Sequence, residues 1–366
     1  MFGNNNNLLK IVSNQYKTDL SSVKLVACQH ILGTTVDLLK MLATKGLKPS
    51  NTYIIGKCYS TNKSVFEKIK KMGIHIDESS QLYDSKQPFD KQFESYIDSF
   101  VKNSINNNQK EKVVVLDDGG QLISTFNNKY KGDFSDVSGV EQTSSGFEKI
   151  SKINLKFPVI NIARSKTKLE IESPIIANIV IKEIYHLFKR RRLKNPKILL
   201  IGGGYVGNSI TNQLSKRYEV DLYDLLTHNA PFPGDYSSKL KEYDVIFGAT
   251  GRSILKPSEY SLLKDNAVLI SASSSDREFS VGEIRKELPR NPNCHNDLEY
   301  KNTVIVNGGF PVNFTGRKHS APPAKIMLTR ALLLAGVLEA NKLNDKIGIV
   351  ELPNSIQELI IDNFKT

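Results

Sequence analysis

The sequence predicts an α/β protein made of two open α/β lobes, the second a Rossmann dinucleotide-binding domain inserted between segments of the first. Three observations predict this. Short apolar runs alternate with helical patterns along most of the chain. The runs end in small or chemically active residues, as the ligand-lined ends of parallel strands do. One run, Lys197 to Ile201, leads into Gly202-Gly203-Gly204-Tyr205-Val206-Gly207 and then a helical pattern. In such a Gly-x-Gly-x-x-Gly turn, Gly202 makes the tight turn and Gly204 lets backbone approach a pyrophosphate. Gly207 lets the next helix pack on the strand, its N-terminus facing the phosphates. A second strand, Tyr218 to Tyr223, ends at Asp224, about twenty residues past the first glycine. A carboxylate there accepts both ribose hydroxyls of NAD and repels a 2′-phosphate, so the expected cofactor is NAD rather than NADP.

The elements follow in order. A strand over Val23–Cys28 runs into His30 and a helix over Thr34–Ala43; a strand over Thr52–Gly56 is followed by Ser60 and a helix over Lys63–Met72. A third strand, Lys112–Leu116, stops at Asp117-Asp118-Gly119-Gly120. Residues 83–108 are polar and helical in parts, with Asn106-Asn107-Asn108 read as a loop. A strand over Phe157–Ile162 and a polar stretch through Lys168 and Glu172 precede Pro174, which opens a helix over Ile175–Phe188. After the glycine turn, strands over Val245–Phe247, Ala267–Ile270 and Thr303–Val306 are expected, the first ending at Thr250-Gly251, and then an amphipathic helix over Ala324–Ala340. The domains read as 1–174 (substrate lobe, first part), 175–318 (dinucleotide lobe), 319–346 (return to the substrate lobe) and 347–366 (a divergent tail).

Composition sets bounds on function. The 366 residues include 50 basic and 38 acidic side chains, a net charge of +12. The excess is lysine scattered along the chain. The one compact cluster, Lys189 to Arg192, ends a predicted helix, where cations complement the macrodipole. Neither nucleic acid nor membrane is an expected partner; no apolar run reaches the roughly 18 residues that span a bilayer. The start of the chain lacks the pattern of a signal peptide, and the expected location is cytoplasmic. Three widely spaced cysteines, Cys28, Cys58 and Cys294, fit free thiols, and no metal-ligand spacing is present.

The ordered set of strand-end motifs resembles the S-adenosylhomocysteine hydrolase family over roughly residues 20–340. Asp117-Asp118-Gly119-Gly120 is similar to the family's Asp-Asp-Gly-Gly, and Glu141-Gln142-Thr143-Ser144-Ser145-Gly146 to its Glu-Glu-Thr-Thr-Thr-Gly. Residues 158–173 are similar to the segment carrying its catalytic lysine and aspartate. Val312-Asn313 matches its Val-Asn, and Gly316 to His319 stands for its following His-containing loop.

The resemblance implies a NAD-dependent enzyme that oxidises a ribose 3′-hydroxyl, eliminates the 5′ thioether, adds water and reduces the ketone again. It implies that Lys168 accepts the 3′-hydroxyl proton and that Glu172 orients that hydroxyl. It places Asp118 on the sugar with a part in 4′ proton removal, and His30 in acid-base chemistry at the 5′ leaving group. Thr143, Ser144, Ser145, Thr250, Gly251 and Asn313 would hold the nicotinamide half of NAD. Gly202, Gly204, Tyr205, Val206, Gly207, Asp224 and Asn229 would hold its adenosine and pyrophosphate. Thr35, Gln142 and His319 would meet a nucleoside-like substrate, and a homo-oligomer, dimer or tetramer, is expected.

The chain departs from the family where the base is read. Thr34 replaces the glutamate that contacts the adenine amino group, Ala163 and Ser173 replace asparagines, Ser274 replaces a histidine, and the end lacks the lysine- and tyrosine-bearing tail. Two other readings stand beside the first: a catalytically silent NAD-binding regulator, and a NAD-dependent 2-hydroxy-acid dehydrogenase.

Overall fold

A computed structural model describes residues 7–105, 111–224, 235–343 and 346–364. Asn229, the Asn106-Asn107-Asn108 stretch and Lys365-Thr366 lie outside the described residues. The chain forms an α/β protein with two sheets, each in its own compact unit. The first unit comprises residues 1–82, 94–172 and 317–366, the second residues 83–93 and 173–316.

The first unit opens with helix α1 (Asn7–Asn14), then β1 (Val23–Cys28), α2 (Gly33–Thr44), β2 (Thr52–Ile55), α3 (Lys63–Lys71) and β3 (His75–Ile76). Helix α4 (Phe89–Ser104), which belongs to the first unit from Glu94 onward, leads to β4 (Lys112–Asp117), α5 (Gln121–Lys129), β5 (Val137–Glu141), α6 (Ser144–Ile150) and β6 (Pro158–Asn161). All its strand pairs are parallel, in the order β3-β2-β1-β4-β5-β6 with one further strand beside β6. The order reverses between β1 and β4. Such a switch point leaves a crevice at the C-terminal strand ends where ligands bind, and here those ends deliver His30 and Asp118. Every residue of β1 and β5 is buried, as expected for a parallel sheet covered on both faces.

The second unit contains α7 (Ser173–Arg191), β7 (Ile198–Ile201), α8 (Tyr205–Leu214), β8 (Val220–Tyr223), β9 (Val245–Gly248), β10 (Val268–Ser271), the short α9 (Val281–Ile284), β11 (Leu298–Tyr300) and β12 (Thr303–Ile305). Its order is β11-β12-β10-β9-β7-β8, parallel except for β11. The period-2 pleat sorts its core into two faces. Leu199, Ile201, Ile246 and Leu269 pack on one side; Ile198, Leu200, Phe247 and Ile270 pack on the other with Val180 and Ile184 of α7. Each such fully buried aliphatic side chain contributes on the order of 1.5–3 kcal/mol.

Two expectations are revised in the last part of the chain. Helix α10 (Pro323–Ala340) is buried nearly all round rather than amphipathic: every residue from Met327 to Leu338 is buried, and the helix packs against α1, α2 and β5. The stretch expected as a tail from residue 347 supplies β13 (Gly348–Glu351), parallel to β6, and α11 (Asn354–Asn363). The alternation in Ile349-Val350-Glu351 half-exposes β13, which suits an edge strand. Among the described residues no helix is long and apolar enough to cross a membrane.

Candidate active site

In the first unit the C-terminal ends of β1, β2 and β4 bring a histidine, a lysine and an aspartate together. Lys57, two residues beyond β2, places Nζ 2.5 Å from Asp118 Oδ1 and donates also to the Asp118 carbonyl oxygen at 2.6 Å. His30 Nε2 lies 3.3 Å from Asp118 Oδ2, and its Nδ1 lies 2.6 Å from Ser60 Oγ. The tautomer that satisfies both contacts carries the ring proton on Nε2 and accepts from the Ser60 hydroxyl at Nδ1. Gln142 Nε2 donates to Asp118 Oδ2 as well.

Electrostatics fix the charge states. Burial lowers the His30 pKa to about 4, with Lys57, Arg330 and Lys168 adding to the effect against the pull of Asp118. The imidazole is therefore neutral at pH 7. Burial opposes the charge on Asp118, yet His30, Lys57 and Lys168 hold its carboxyl well below the usual range. Burial likewise opposes charge on Lys57, but Asp118 more than compensates and the ammonium persists.

Beneath this group lie two structural carboxyls. Asp117 accepts from the backbone N–H of Asp118 at 2.7 Å and of Ile123 at 2.8 Å, and burial raises it to about 6. Glu141 accepts from the N–H groups of Gly119, Gly120 and Thr143 and from the Thr143 hydroxyl. Burial and the facing Asp117 push it up to about 8, although its bonds from Thr143 pull the other way. Together they pin the loops after β4 and β5.

Lys168 and Glu172 come from a π-helical turn, Thr167–Glu172, immediately before α7. Such wide turns are rare and concentrate at functional sites. Lys168 Nζ lies 2.5 Å from Glu172 Oε2, and the Thr329 hydroxyl of α10 donates to Glu172 Oε1. The pair lies in the same unit as His30 and Asp118, and Lys168 is among the cations that act on both of those groups.

The remaining expected residues of this unit take local roles. The Thr35 hydroxyl donates to the His30 carbonyl at 2.5 Å. His319 packs its ring against Gly33, where a Cβ would stand 2.2 Å from Cε1, and its Nδ1 has no hydrogen-bond partner among the described residues. Thr143 caps α6, accepting from Gly146 N at 3.0 Å, so its hydroxyl is engaged by the fold; Ser144 is exposed and Ser145 half-buried in the first turn of that helix.

In the second unit the glycine turn has the form the motif requires. Gly202 adopts φ +117, and a Cβ there would stand 2.7 Å from the Ala249 backbone. A Cβ on Gly207 would stand 1.9 Å from the Gly202 oxygen, so only glycine permits this approach of α8. A Cβ on Gly204 would meet nothing within 4 Å, and Gly204 caps α8 with no side-chain hydrogen bond. The open turn and the uncapped helix N-terminus form a cradle of the kind that holds an anion. Asp224 follows β8 and accepts from Gly203 N. Tyr205 is exposed and Val206 half-buried just inside α8, and Asn313 is buried after Val312. Thr250 and Gly251 follow β9, on the other side of the β7 switch point.

Sequence reading missed four contributors. Glu278 is fully buried under the β9 turn, accepting from Thr250 N at 2.7 Å, Gly251 N at 3.2 Å and Ser271 Oγ at 2.7 Å. Lys57 gave no motif, although it stands at a strand end as His30 and Asp118 do. Arg330 and Gln29 are also buried in the first unit, Arg330 Nη1 donating to Gln29 Oε1 at 3.0 Å. Arg330 was detectable as the lone charge in the apolar run from Ile326 to Leu338.

No protein-family model matches the chain. Two uncharacterized proteins of Mycobacterium tuberculosis are 39% identical over 331 residues, covering 88% of this chain and 65% of their own length. The chain thus spans about 65% of the length of the curated relatives it matches. Among solved structures it is similar to an NAD-dependent formate dehydrogenase from Staphylococcus aureus in complex with NAD (TM-score 0.41, 10% identity, 90% of this chain and 100% of that one). It is also similar to a D-isomer specific 2-hydroxyacid dehydrogenase from Lactobacillus delbrueckii ssp. bulgaricus in its NAD complexed form (TM-score 0.36, 14% identity, 93% and 99%).

Proposed function

We propose that the protein is an NAD-dependent enzyme of the S-adenosylhomocysteine hydrolase type, acting by transient oxidation of a sugar hydroxyl on a nucleoside-like substrate. The observation that carries the reading is the gathering of two ammonium–carboxylate couples, Lys57–Asp118 and Lys168–Glu172, with a neutral His30 in one unit. A second unit with a glycine cradle and Asp224 supports NAD as cofactor: the Gly202–Gly207 turn would take the pyrophosphate and Asp224 the ribose hydroxyls.

When bound, NAD supplies reversible two-electron oxidation of an alcohol carbon. The chain's own groups handle protons. Glu172, held by Thr329, orients the hydroxyl, and Lys168, once its own proton has passed to Glu172, takes the hydroxyl proton. The C4′ hydrogen, acidified by the adjacent ketone, leaves as a proton to the His30–Asp118 couple, Nδ1 of neutral His30 taking it once the Ser60 hydroxyl turns to the Lys57 carbonyl oxygen. The C5′–S bond then breaks, the sulfur taking up that proton to leave as a thiol; water adds to the C4′–C5′ double bond, and reversal of the oxidation restores the 3′-hydroxyl. Asp118, with both oxygens engaged, keeps His30 and Lys57 in position.

A second reading, net oxidation of a 2-hydroxy acid, is favoured by one observation: Arg330 is a buried guanidinium in the same unit as His30 and Asp118, suited to a substrate carboxylate. The test is to denature the purified protein by heat, identify the released nucleotide by mass, and then assay thiol release from S-adenosylhomocysteine with NAD present. The first reading predicts NAD in mixed redox state and thiol release abolished by Lys168→Ala. Stoichiometric NADH production from D-lactate without thiol release would replace it with the second.

A further inference from the structure

Of the three cations that act on His30, two are ion-paired and one is not. Lys57 is paired with Asp118 at 2.5 Å and Lys168 with Glu172 at 2.5 Å. The third cation, Arg330, is 3% exposed and donates only to neutral oxygens: Nε to Thr34 Oγ1 at 3.1 Å and Nη1 to Gln29 Oε1 at 3.0 Å. Among the described residues no carboxylate lies within ion-pair distance of it, and Nη2 makes no hydrogen bond. Asp117 and Glu141 are tied to backbone N–H groups, and Asp118, Glu172 and Asp37 act on Arg330 only through their fields. A buried guanidinium ordinarily meets a carboxylate or phosphate, because an uncompensated charge in a low dielectric is costly.

The surrounding amides fix the direction in which this cation is presented. Gln29 turns its oxygen to Arg330 and donates from Nε2 to Gln142 Oε1 at 3.1 Å, and Gln142 donates in turn to Asp118. Each amide hands its donors toward the carboxylate and its acceptor toward the guanidinium. The chain ends in a cation beside Thr34, linked to the His30–Asp118 group.

We propose that Arg330, with Thr34, is a specificity-determining pair that recognises a hydrogen-bond acceptor oxygen on the substrate, a ring carbonyl or a carboxylate, and disfavours an amino group there. A guanidinium offers donors only, so an amino group facing it leaves both sides unsatisfied. The choice of nucleosides as probes rests on the proposed function; the missing ion pair of Arg330 does not. For a nucleoside, the inference selects a 6-oxopurine over adenine.

The test is calorimetric titration of the full chain, with NAD present, against inosine, adenosine and D-lactate. Inosine is expected to bind about 10- to 100-fold more tightly than adenosine, the worth of one charge-assisted hydrogen bond. Arg330→Lys, which keeps the charge and loses the planar fork, is expected to shrink that preference to about threefold or less. If this variant does not fold, the preference of the unaltered chain decides. Equal or tighter binding of adenosine overturns the inference while leaving the nucleoside reading in place. Binding of D-lactate alone, weakened by Arg330→Lys, upholds acceptor recognition and removes the nucleoside reading; binding of none of the three overturns both.

Discussion

His30 takes up a proton only in acid, and this has a consequence for stability. Its folded pKa of about 4 lies below the unfolded value near 6.5. Between those values the unfolded chain binds a proton that the native chain does not, so stability falls as pH drops from about 6.5 to about 4. The loss amounts to at most about 3 kcal/mol. A ring titration followed by NMR should show a midpoint near 4, and His30→Gln should flatten the stability curve across that window; a midpoint near 6.5 would refute the burial argument. Asp118 acts in the same unit with a different window, its stabilisation being lost only below about pH 4. Asp118→Asn leaves Lys57 buried without its carboxylate and should destabilise by about 3–5 kcal/mol in denaturant titrations. Lys168→Ala leaves the buried Glu172 with the Thr329 hydroxyl but without its cation, and should cost about 1–3 kcal/mol in stability while abolishing turnover.

The glycine turn separates folding from binding at the level of one strand and one helix. Gly207→Val drives a side chain into the Gly202 carbonyl and should destabilise the second unit by several kcal/mol, whereas Gly204→Val points into open space and should leave the melting temperature nearly unchanged while eliminating dinucleotide binding. Equal losses of stability in both variants would contradict this division. These elements were the most legible part of the sequence. The β1 strand came out residue for residue, and most other buried strands within one or two residues, because a short, mainly apolar run bounded by polar or turn residues admits few alternatives. Strand β5, Val-Ser-Gly-Val-Glu, was read only as a motif, since its polar residues are buried by neighbouring strands that sequence periodicity does not report. Strands β3 and β11 are too short to show a pattern, and α10 read as amphipathic because Arg330 and Thr329 look like a solvent face. Site chemistry was legible at strand ends that carry a motif. It was hidden at Lys57 and Glu278, whose partners lie 61 and 28 residues away.

At the scale of the whole chain, a unit with the Gly202–Gly207 turn is joined to a unit with His30, Asp118 and Lys168. Ligand linkage tests the first half. NAD at about 100 times its dissociation constant should raise unfolding free energy by about 2.7 kcal/mol, with a much smaller effect from NADP because Asp224 repels the 2′-phosphate. Asp224→Ala should narrow the difference; a chain indifferent to both nucleotides would rule out NAD as the cofactor. The proposed chemistry depends on a transient ketone at C3′ of the bound sugar. That ketone makes the C4′ hydrogen exchangeable, which neither a net dehydrogenase of hydroxy acids nor a silent NAD-binding protein would do. The decisive experiment is therefore incubation of the NAD-loaded protein with inosine or adenosine in deuterium oxide, with mass and NMR analysis of the recovered nucleoside. Deuterium is expected at C4′, without net accumulation of NADH, and none with Lys168→Ala. Recovery of both nucleosides unlabelled from protein shown to carry NAD would contradict the proposed oxidation.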